Sequence, residues 1–263
     1  MGNITSNDSL GDRMKCYEYV TRTYLTRRTP VIVRIDGKAF HTFTRNFQRP
    51  YDQILLLTMQ QTMKYLCENI EGCVLGYTQS DEITLVLCDY KELTTQAWFS
   101  NNIQKICSVS ASMATLAFNS FFAENVDKTA PENEVYQFCK NKALFDSRVF
   151  NIPKEEVGNC LLWRQRDATR NSILSIAGSF FPLKQMHGLN GKQLQEKLFQ
   201  DKGINWNDYP TTQKRGSCCI KVEYEKKDNE SSEVLCKRSN WVIDNEIPIF
   251  SEDWDYIEKR ITF

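Results

Sequence analysis

The chain has 263 residues, of which 41% are hydrophobic and 25% are charged, and its 33 basic and 33 acidic residues give a formal net charge of zero. This is the composition of a globular protein with a substantial core. It excludes recognition of nucleic acid through bulk positive charge, so any such surface must be a local basic patch. No stretch approaches the roughly 20 apolar residues of a membrane span, and residues 1–12 lack an apolar signal region. We therefore expect a cytoplasmic protein without a membrane partner.

The ten cysteines are scattered, with no Cys-x-x-Cys pair, and only two histidines accompany them. A zinc site is therefore poorly supplied. Several cysteines lie within apolar runs, which predicts buried, reduced thiols and agrees with a reducing compartment.

Helices and strands alternate through the first two thirds of the chain. We expect residues 1–10 to be frayed and a first helix at 11–24, because Met14, Tyr17, Val20 and Tyr24 recur at helical spacing. The next predicted elements are a strand at 31–36, a loop to residue 50, a helix at 52–70, a hairpin at 73–88, a helix at about 96–122, a strand at 145–150 and a helical region from 153 to about 181.

Residues 183–216 are predicted to be rich in loops, with one helix at 191–199. The last predicted elements are a hairpin with strands at 218–224 and 234–242, its polar turn at 225–230, and a short helix at 254–261. No segment has the composition of an interdomain linker. We therefore predict one domain over residues 1–263, with a C-terminal elaboration at about 183–263.

The order strand, helix, hairpin, helix, strand from Val31 onward is that of a ferredoxin-like split βαβ unit, which polymerase palms also use. The predicted fold class is therefore α+β, with a palm-like antiparallel sheet and flanking helices.

Acidic residues occur at the ends of two predicted strands. Asp36, followed by Gly37, closes the strand 31–36, and Asp81 and Glu82 follow Ser80 at the bend of the hairpin. Each site alone is typical of an ordinary turn. Together they indicate a set of oxygen ligands for Mg²⁺, which binds through one or two carboxylates plus substrate phosphates. This pattern favours two-metal nucleotidyl transfer.

The loop after Gly37 carries four potential cations, namely Lys38, His41, Arg45 and Arg49. Beside an acidic site they would offset the charge of a triphosphate. A solvated basic loop is the alternative.

The helical region after Pro153 contains a dense polar set formed by Arg164, Arg166, Arg170 and Asn171. These residues, with Lys214 and Arg215 further on, are candidates for contacts with RNA. A solvated helical face and a simple turn are the alternatives.

Four ordered blocks resemble the tRNA-histidine guanylyltransferase family, which adds nucleotides in the 3′-to-5′ direction. The blocks are Arg34-Ile35-Asp36-Gly37-Lys38-Ala39-Phe40-His41, Pro50-Tyr51-Asp52, Gln79-Ser80-Asp81-Glu82 and Phe145-Asp146-Ser147-Arg148-Val149. The resemblance runs from about residue 10 to about residue 220.

The resemblance implies catalysis by Asp36, Asp81 and Glu82, with two Mg²⁺ ions held by Asp36, the Gly37 carbonyl and Asp81. It also implies a nucleotide site whose residues are Lys38, Ala39, Phe40, His41, Arg49, Asp52 and Ser80. Arg49 falls where eukaryotic members carry a phosphate-binding lysine; charge is kept, although the two side chains differ in geometry.

Eukaryotic enzymes of the family that act on tRNA-histidine carry a His-Ile-Asn-Asn-Leu-Tyr-Asn motif. The aligned segment here is Thr169-Arg170-Asn171-Ser172-Ile173-Leu174-Ser175, in which Asn171 is the one identity. This departure is similar to the guanylyltransferase-like branch common in bacteria and archaea, whose members favour template-dependent addition and repair of 5′-truncated tRNA.

The resemblance therefore implies a tRNA 5′-end nucleotidyltransferase that uses ATP, GTP and other NTPs, for repair of truncated tRNA and/or guanosine addition to tRNA-histidine. It also implies a homotetramer. Two alternatives stay open: a palm-type nucleotide cyclase, which would ignore RNA, and a non-catalytic RNA-binding module, which would display aromatic residues on an open sheet face.

Overall fold

The computed structural model describes residues 9–227 and 235–263. Six strands form one antiparallel sheet with the spatial order β4-β1-β3-β2-β5-β6. The strands are β1 (Val31–Gly37), β2 (Cys73–Gln79), β3 (Glu82–Leu87), β4 (Phe145–Asn151), β5 (Ser217–Lys227) and β6 (Leu235–Asp244). The helices are α1 (Ser9–Val20), α2 (Phe40–Phe43), α3 (Gln53–Asn69), α4 (Ile103–Thr129), α5 (Glu134–Cys139), α6 (Val157–Phe180), α7 (Leu183–Met186), α8 (Gly191–Lys202), α9 (Thr211–Arg215) and α10 (Asp255–Ile261). Short 3₁₀ turns occupy Trp98–Asn101, Lys154–Glu156 and Trp206–Asp208.

The first four strands confirm the predicted split βαβ unit. The chain order β1-α3-β2-β3-α4-β4 folds into the spatial order β4-β1-β3-β2, and every neighbouring pair is antiparallel. The α+β class and the palm-like sheet with flanking helices are therefore confirmed. Strands β5 and β6 extend this sheet beyond β2.

Alternation along β1 divides the core between the two faces of the sheet, because successive side chains of a strand point to opposite sides. Val31, Val33 and Ile35 lie in the cluster that α3 and α4 complete, whereas Ile32 lies in the cluster that α6 and α10 complete. On this second face Asp36 at the end of β1 stays partly exposed. The uncovered end of β1 is where the candidate site lies.

The first helix differs from its prediction. It ends at Val20, and none of its residues is buried, because Tyr24 leaves the helix and forms an isolated bridge with Asn102. The apolar spacing identified the helix, but within the described residues nothing covers that face. Residues 1–8 of the predicted frayed segment lie outside the described residues.

The fourth helix begins later and ends later than the 96–122 predicted. Phe99, Ser100 and Asn101 have positive φ angles, so the regular helix starts after them, where the Asn102 side chain accepts a hydrogen bond from the Lys105 amide. It continues to Thr129, since Asn125 and Val126 remain buried one turn beyond the predicted end.

By length and composition, α4 would be able to cross a membrane, which corrects the expectation that no segment approaches such a span. Its residues Ile106, Phe118 and Phe122 are fully buried in the cluster shared with β1 and α3. In this structure α4 is a core helix of the sheet.

The segment 183–216 is more helical than predicted, since it contains α7, α8, α9 and one 3₁₀ turn. The clearest local signal is at α8, where Asn190 and Gln193 form a capping box. The late hairpin is present as β5 and β6, but predicted turn residues 228–230 and the strand start at 234 lie outside the described residues.

The predicted thiol character of the cysteines is confirmed where side chains are described. Nine cysteines are free there, and six of them are buried: Cys67, Cys88, Cys139, Cys160, Cys218 and Cys219.

Candidate active site

The ends of β1 and of the β2–β3 hairpin meet at one edge of the sheet. Asp36 is the direct partner of Glu82 across the β1–β3 pair, and the Gly37 amide donates a hydrogen bond of 3.0 Å to the Asp81 carbonyl. These contacts hold Asp36 and Asp81 side by side. The sequence-predicted pair of acids is therefore a pair in space.

Local geometry explains the residues around the acids. At Gly37 an added Cβ would overlap the ring of Phe40, so glycine is needed for close packing. Ser80 has a positive φ of 52° at the hairpin bend, and its hydroxyl donates a hydrogen bond of 3.0 Å to Asp81 Oδ1. The bend thus fixes both the backbone and the side chain of Asp81.

The electrostatic environment of the two acids is unfavourable for negative charge. Burial raises the pKa of Asp36, and the nearby Asp146 raises it further, against Arg148 and Arg34, which lower it. Burial also raises the pKa of Asp81, with Asp36 adding to the effect. Two neighbouring carboxylates that each disfavour ionisation are stabilised by a cation between them.

The donor set fits Mg²⁺ better than a metal held by protein alone. Within the described residues, no group of three or more His, Cys, Asp and Glu side chains is arranged to hold a metal ion. Two carboxylates beside the Gly37 carbonyl match an ion that completes its shell with water and substrate phosphates. Asp36, Gly37 and Asp81 are thus the residues that would hold it.

Glu82 has a different environment from the other two acids. It is only 8% exposed, and Arg164 from α6 contacts both of its oxygens, with Nε–Oε1 and Nη2–Oε2 distances of 2.7 Å. Burial raises the pKa of Glu82, and Arg164 opposes that shift. This ion pair occupies the Glu82 carboxylate and holds it against α6, and the catalytic role expected for Glu82 stays a prediction.

Arg164, a predicted RNA-contacting residue, is buried and paired within the chain. It is 8% exposed, and besides Glu82 its Nη2 contacts Asp167 at 3.1 Å. Helix interiors place an arginine inward only with such partners. Its charged partner is Glu82 at the start of β3 in the same chain.

The rest of the predicted RNA-binding set is divided between two places. Arg166, Arg170 and Asn171 are exposed on α6. Lys214 donates to the Asn207 carbonyl at 2.6 Å and lies over the Trp206 ring. The Nε of Arg215 is buried and has no hydrogen-bond partner among the described residues. Only the exposed α6 residues keep the geometry of a surface contact.

The predicted basic loop lies beside the acids. Lys38, His41, Arg45 and Arg49 are exposed, and His41 is close enough to lower the pKa of Asp81, whose main shift comes from burial. Ala39 is exposed too and adopts a left-handed conformation, φ 55°, at the start of α2. The loop therefore offers cationic and backbone groups to an anion near Asp81.

Two predicted nucleotide residues also have structural roles. Phe40 is 3% exposed and packs against Phe43, Phe118 and Phe145, so it belongs to the core. Asp52 caps α3 by accepting from the Leu55 amide at 2.9 Å. Its other oxygen accepts from the Tyr136 hydroxyl at 2.5 Å and the Gln48 amide at 3.1 Å.

A cavity of about 200 Å³ opens beside Ser80. Its lining residues come from the basic loop, the start of α3, the end of β2, α6 and α9, and they include Arg49, Asp52, Gln79, Asn171 and Ser172. The cavity is partly apolar with polar groups around it, which suits a flat heteroaromatic ring. Sequence reasoning identified three of these five residues but no cavity.

Four further residues beside Asp36 were assigned no role from the sequence. Arg34 precedes Asp36 on the same face of β1, and Asp146 and Arg148 lie opposite on β4. Trp163 on α6 is 53% exposed. The sequence does contain a pattern that would have identified the charged residues among them. Arg34 and Asp36 are two positions apart, as are Asp146 and Arg148, so each pair lies on one face of its strand.

Comparison with known proteins agrees with this geometry. The sequence profile of the tRNAHis guanylyltransferase family matches residues 11–153. A bacterial tRNA(His) guanylyltransferase (Thg1)-like protein solved in complex with ATP is 47% identical, with a TM-score of 0.83 over 96% of this chain and 99% of that one. A bacterial protein of the same description in complex with GTP is 46% identical, with a TM-score of 0.78 over 97% and 100%.

A curated relative gives the same result. The tRNA(His) guanylyltransferase of Saccharomyces cerevisiae is 30% identical over 220 residues, which are 76% of this chain and 86% of the yeast protein. The paired acids, their neighbouring basic loop and these likenesses together lead to one conclusion. The chain belongs to the tRNAHis guanylyltransferase family, and it is a nucleotidyltransferase.

Proposed function

We propose that this protein adds nucleotides to the 5′ end of tRNA in the 3′-to-5′ direction, for template-dependent repair of 5′-truncated tRNA and/or guanosine addition to tRNA-histidine. The observation that carries the proposal is the pairing of Asp36 and Asp81 at one sheet edge, beside a cationic loop and a cavity of about 200 Å³. The relatives solved with ATP and with GTP support the use of both nucleotides.

The chemistry has two stages. The tRNA 5′-monophosphate attacks the α-phosphate of ATP (or GTP), which forms a 5′–5′ nucleotidyl-capped end and releases pyrophosphate. The 3′-hydroxyl of the incoming NTP then attacks the former 5′-phosphate, and AMP (or GMP) leaves. A tRNA with a 5′-triphosphate skips activation and releases pyrophosphate at the second stage. Both stages are phosphoryl transfers governed by positioning and charge stabilisation.

The residues divide this work by their surroundings. Asp36, the Gly37 carbonyl and Asp81 would hold two Mg²⁺ ions, which when bound would supply charge neutralisation and lower the pKa of an attacking hydroxyl. Lys38, His41 and Arg49, which are exposed on the adjoining loop, would face the phosphates of the nucleotide.

The nucleotide base is placed in the cavity next to Ser80. Polar residues Arg49, Asn171 and Ser172 and apolar residues Leu55 and Met59 are among those that line it. Base choice then comes from pairing with the opposite RNA strand, so the protein holds backbone and shape. This division agrees with a chain of zero net charge.

The proposal extends to the organisation of the whole protein. We propose one cytoplasmic domain with a C-terminal elaboration, assembled as a homotetramer. Size-exclusion chromatography with light scattering measures the assembly directly.

The test of the function is incorporation of labelled nucleotide into a tRNA that lacks its 5′ nucleotide, with Mg²⁺, ATP and each NTP in turn. We expect addition of the NTP that pairs with the opposite strand. Guanosine added whatever the template would restrict the function to tRNA-histidine. No addition to any tRNA, with cyclic nucleotide formed from free NTP, would establish the cyclase alternative instead.

A further inference from the structure

The uncovered sheet face on β1 and β4 carries two rows of like charge. Arg34 lies directly opposite Arg148, and Asp36 lies directly opposite Asp146. Like charges at directly paired positions destabilise an antiparallel sheet. Arg148 relieves part of this repulsion by contacting both acids, but the two arginines remain paired with each other, and such a pair favours a ligand of negative charge.

The arginine row has free donors. Among the described residues, no hydrogen bond or ion pair involves the guanidinium of Arg34, which lies over the Trp163 ring at 5.4 Å from its centroid. Arg148 is 52% exposed and reaches Asp146 at 3.2 Å and Asp36 at 3.7 Å, contacts that are weak at such exposure. Two adjacent guanidinium groups with free donors form a phosphate-binding arrangement.

An aromatic platform adjoins this row. Trp163 is 53% exposed, although the guanidinium of the buried Arg164 also lies 4.5 Å from its ring centroid. A large exposed indole that two cations orient is available to stack with a nucleobase.

The reaction requires two phosphate-bearing partners at the acids. The loop with Lys38, His41 and Arg49 provides one cationic region beside Asp81, and Arg34 with Arg148 provides a second beside Asp36. If the loop holds the nucleotide triphosphate, the sheet face is left for the other reactant. Cations bound at Asp36 would reduce its repulsion of that phosphate.

We propose that Arg34, Arg148 and Trp163 bind the 5′-terminal nucleotide of the RNA acceptor, with the phosphate on the two arginines and the base on the indole. This inference rests on the proposed function and assigns the acceptor end of that site. It predicts that the protein distinguishes a 5′-phosphate from a 5′-hydroxyl on the same RNA.

The experiment measures dissociation constants by fluorescence anisotropy for one 3′-labelled acceptor-stem RNA hairpin, prepared with a 5′-phosphate and with a 5′-hydroxyl, in Mg²⁺ without NTP. In Arg34→Gln and Arg148→Gln the preference for the 5′-phosphate falls about five- to tenfold. Trp163→Ala weakens binding of both RNAs about fivefold or more, and Trp163→Phe restores most of it. Arg13→Gln, which removes an exposed arginine of α1, is the matched control and leaves both constants unchanged.

Two further measurements separate the possible failures. Circular dichroism establishes that each variant is folded, and a fluorescent ATP analogue reports nucleotide affinity, which we expect to be unchanged. An unaltered 5′-phosphate preference in both arginine variants overturns the assignment. A loss of ATP affinity in these variants, with the 5′-phosphate preference kept, overturns it too. Nucleotide addition by the wild-type protein is assayed on the same RNA, and its absence overturns the proposed function instead.

Discussion

Asp81 and Glu82 are neighbours in the chain, yet the structure places them in opposite electrostatic situations. Asp81 adjoins a second carboxylate, Asp36, at the open edge of the sheet. Glu82 points under α6 and is closed off by the guanidinium of Arg164. Burial and mutual repulsion outweigh the nearby positive charge of Arg148 and His41 at the first pair, whereas the second carboxylate is already paired with Arg164.

The role of a carboxylate therefore depends on whether other groups of the protein already neutralise its charge. A buried ion pair with two hydrogen bonds is a closed unit, and breaking it leaves one charge uncompensated. A pair of like charges at an edge is an incomplete unit that a cation completes. Catalytic change should therefore dominate at Asp36 and Asp81, and loss of stability at Glu82 and Arg164.

The largest effect is expected at the paired acids. Asp36→Asn or Asp81→Asn, which keeps the shape but removes the charge, should lower the rate of nucleotide addition about 10³-fold or more, because both stages need the cations that we propose these residues hold. Single-turnover assays with labelled NTP measure the rate. A rate within tenfold of wild type in either variant would move the cation site away from this edge.

The next largest effect is expected at the buried ion pair between Glu82 and Arg164. Arg164→Ala should destabilise the fold by about 3 kcal/mol, because it leaves Glu82 charged or protonated in a buried site without its partner. Urea unfolding followed by circular dichroism measures the change. Adding Glu82→Gln to Arg164→Met should recover a large part of the loss, since the buried charge is then gone.

Arg170 provides the matched control on the same helix. It also pairs with Asp167, but its side chain is 70% exposed, so Arg170→Ala should cost less than about 0.5 kcal/mol. If Arg164→Ala costs no more than Arg170→Ala, the buried pair has no special part in holding the hairpin.

Much of the fold could be predicted from the sequence, because the local apolar patterns match the surfaces that are buried in the structure. The apolar runs of β1, β2 and β3 and the helical period of α3 are long and are buried as predicted. The boundary of α4 did not follow, since it depends on positive φ angles at residues 99–101. The exposed apolar face of α1 shows another limit of the sequence. A helical period predicts a helix but not which element, if any, covers its apolar face.

The site followed from the sequence only in part, and for a physical reason. Carboxylates at strand ends predicted the Asp36–Asp81 pair, because strand ends meet at an edge of a sheet. No local pattern shows that Arg164 will meet Glu82 across 82 positions of sequence, or that Asp52 will be occupied by Tyr136. Contacts between distant elements decide whether a charged residue is free or already paired.

The smallest expected effect is on the melting temperature, and it requires no activity assay. In EDTA at pH 7, Asp81→Asn should raise the melting temperature by about 1–3 °C, because burial and Asp36 raise the pKa of Asp81 above its usual 3.8. An acid with a raised pKa binds more protons in the folded state, so its ionisation lowers stability as pH rises through that pKa. The gain should therefore disappear well below pH 3.8, where the carboxyl is protonated in both states.

Addition of Mg²⁺ should reverse the order, since the ion binds the folded wild type and adds to its stability, whereas the Asn variant lacks the charge. Glu82→Gln should show the opposite pattern in the same instrument, with a lower melting temperature in EDTA and a preserved response to Mg²⁺. A wild-type melting temperature that Mg²⁺ leaves unchanged would contradict a cation site at Asp36 and Asp81, whatever the catalytic assays showed.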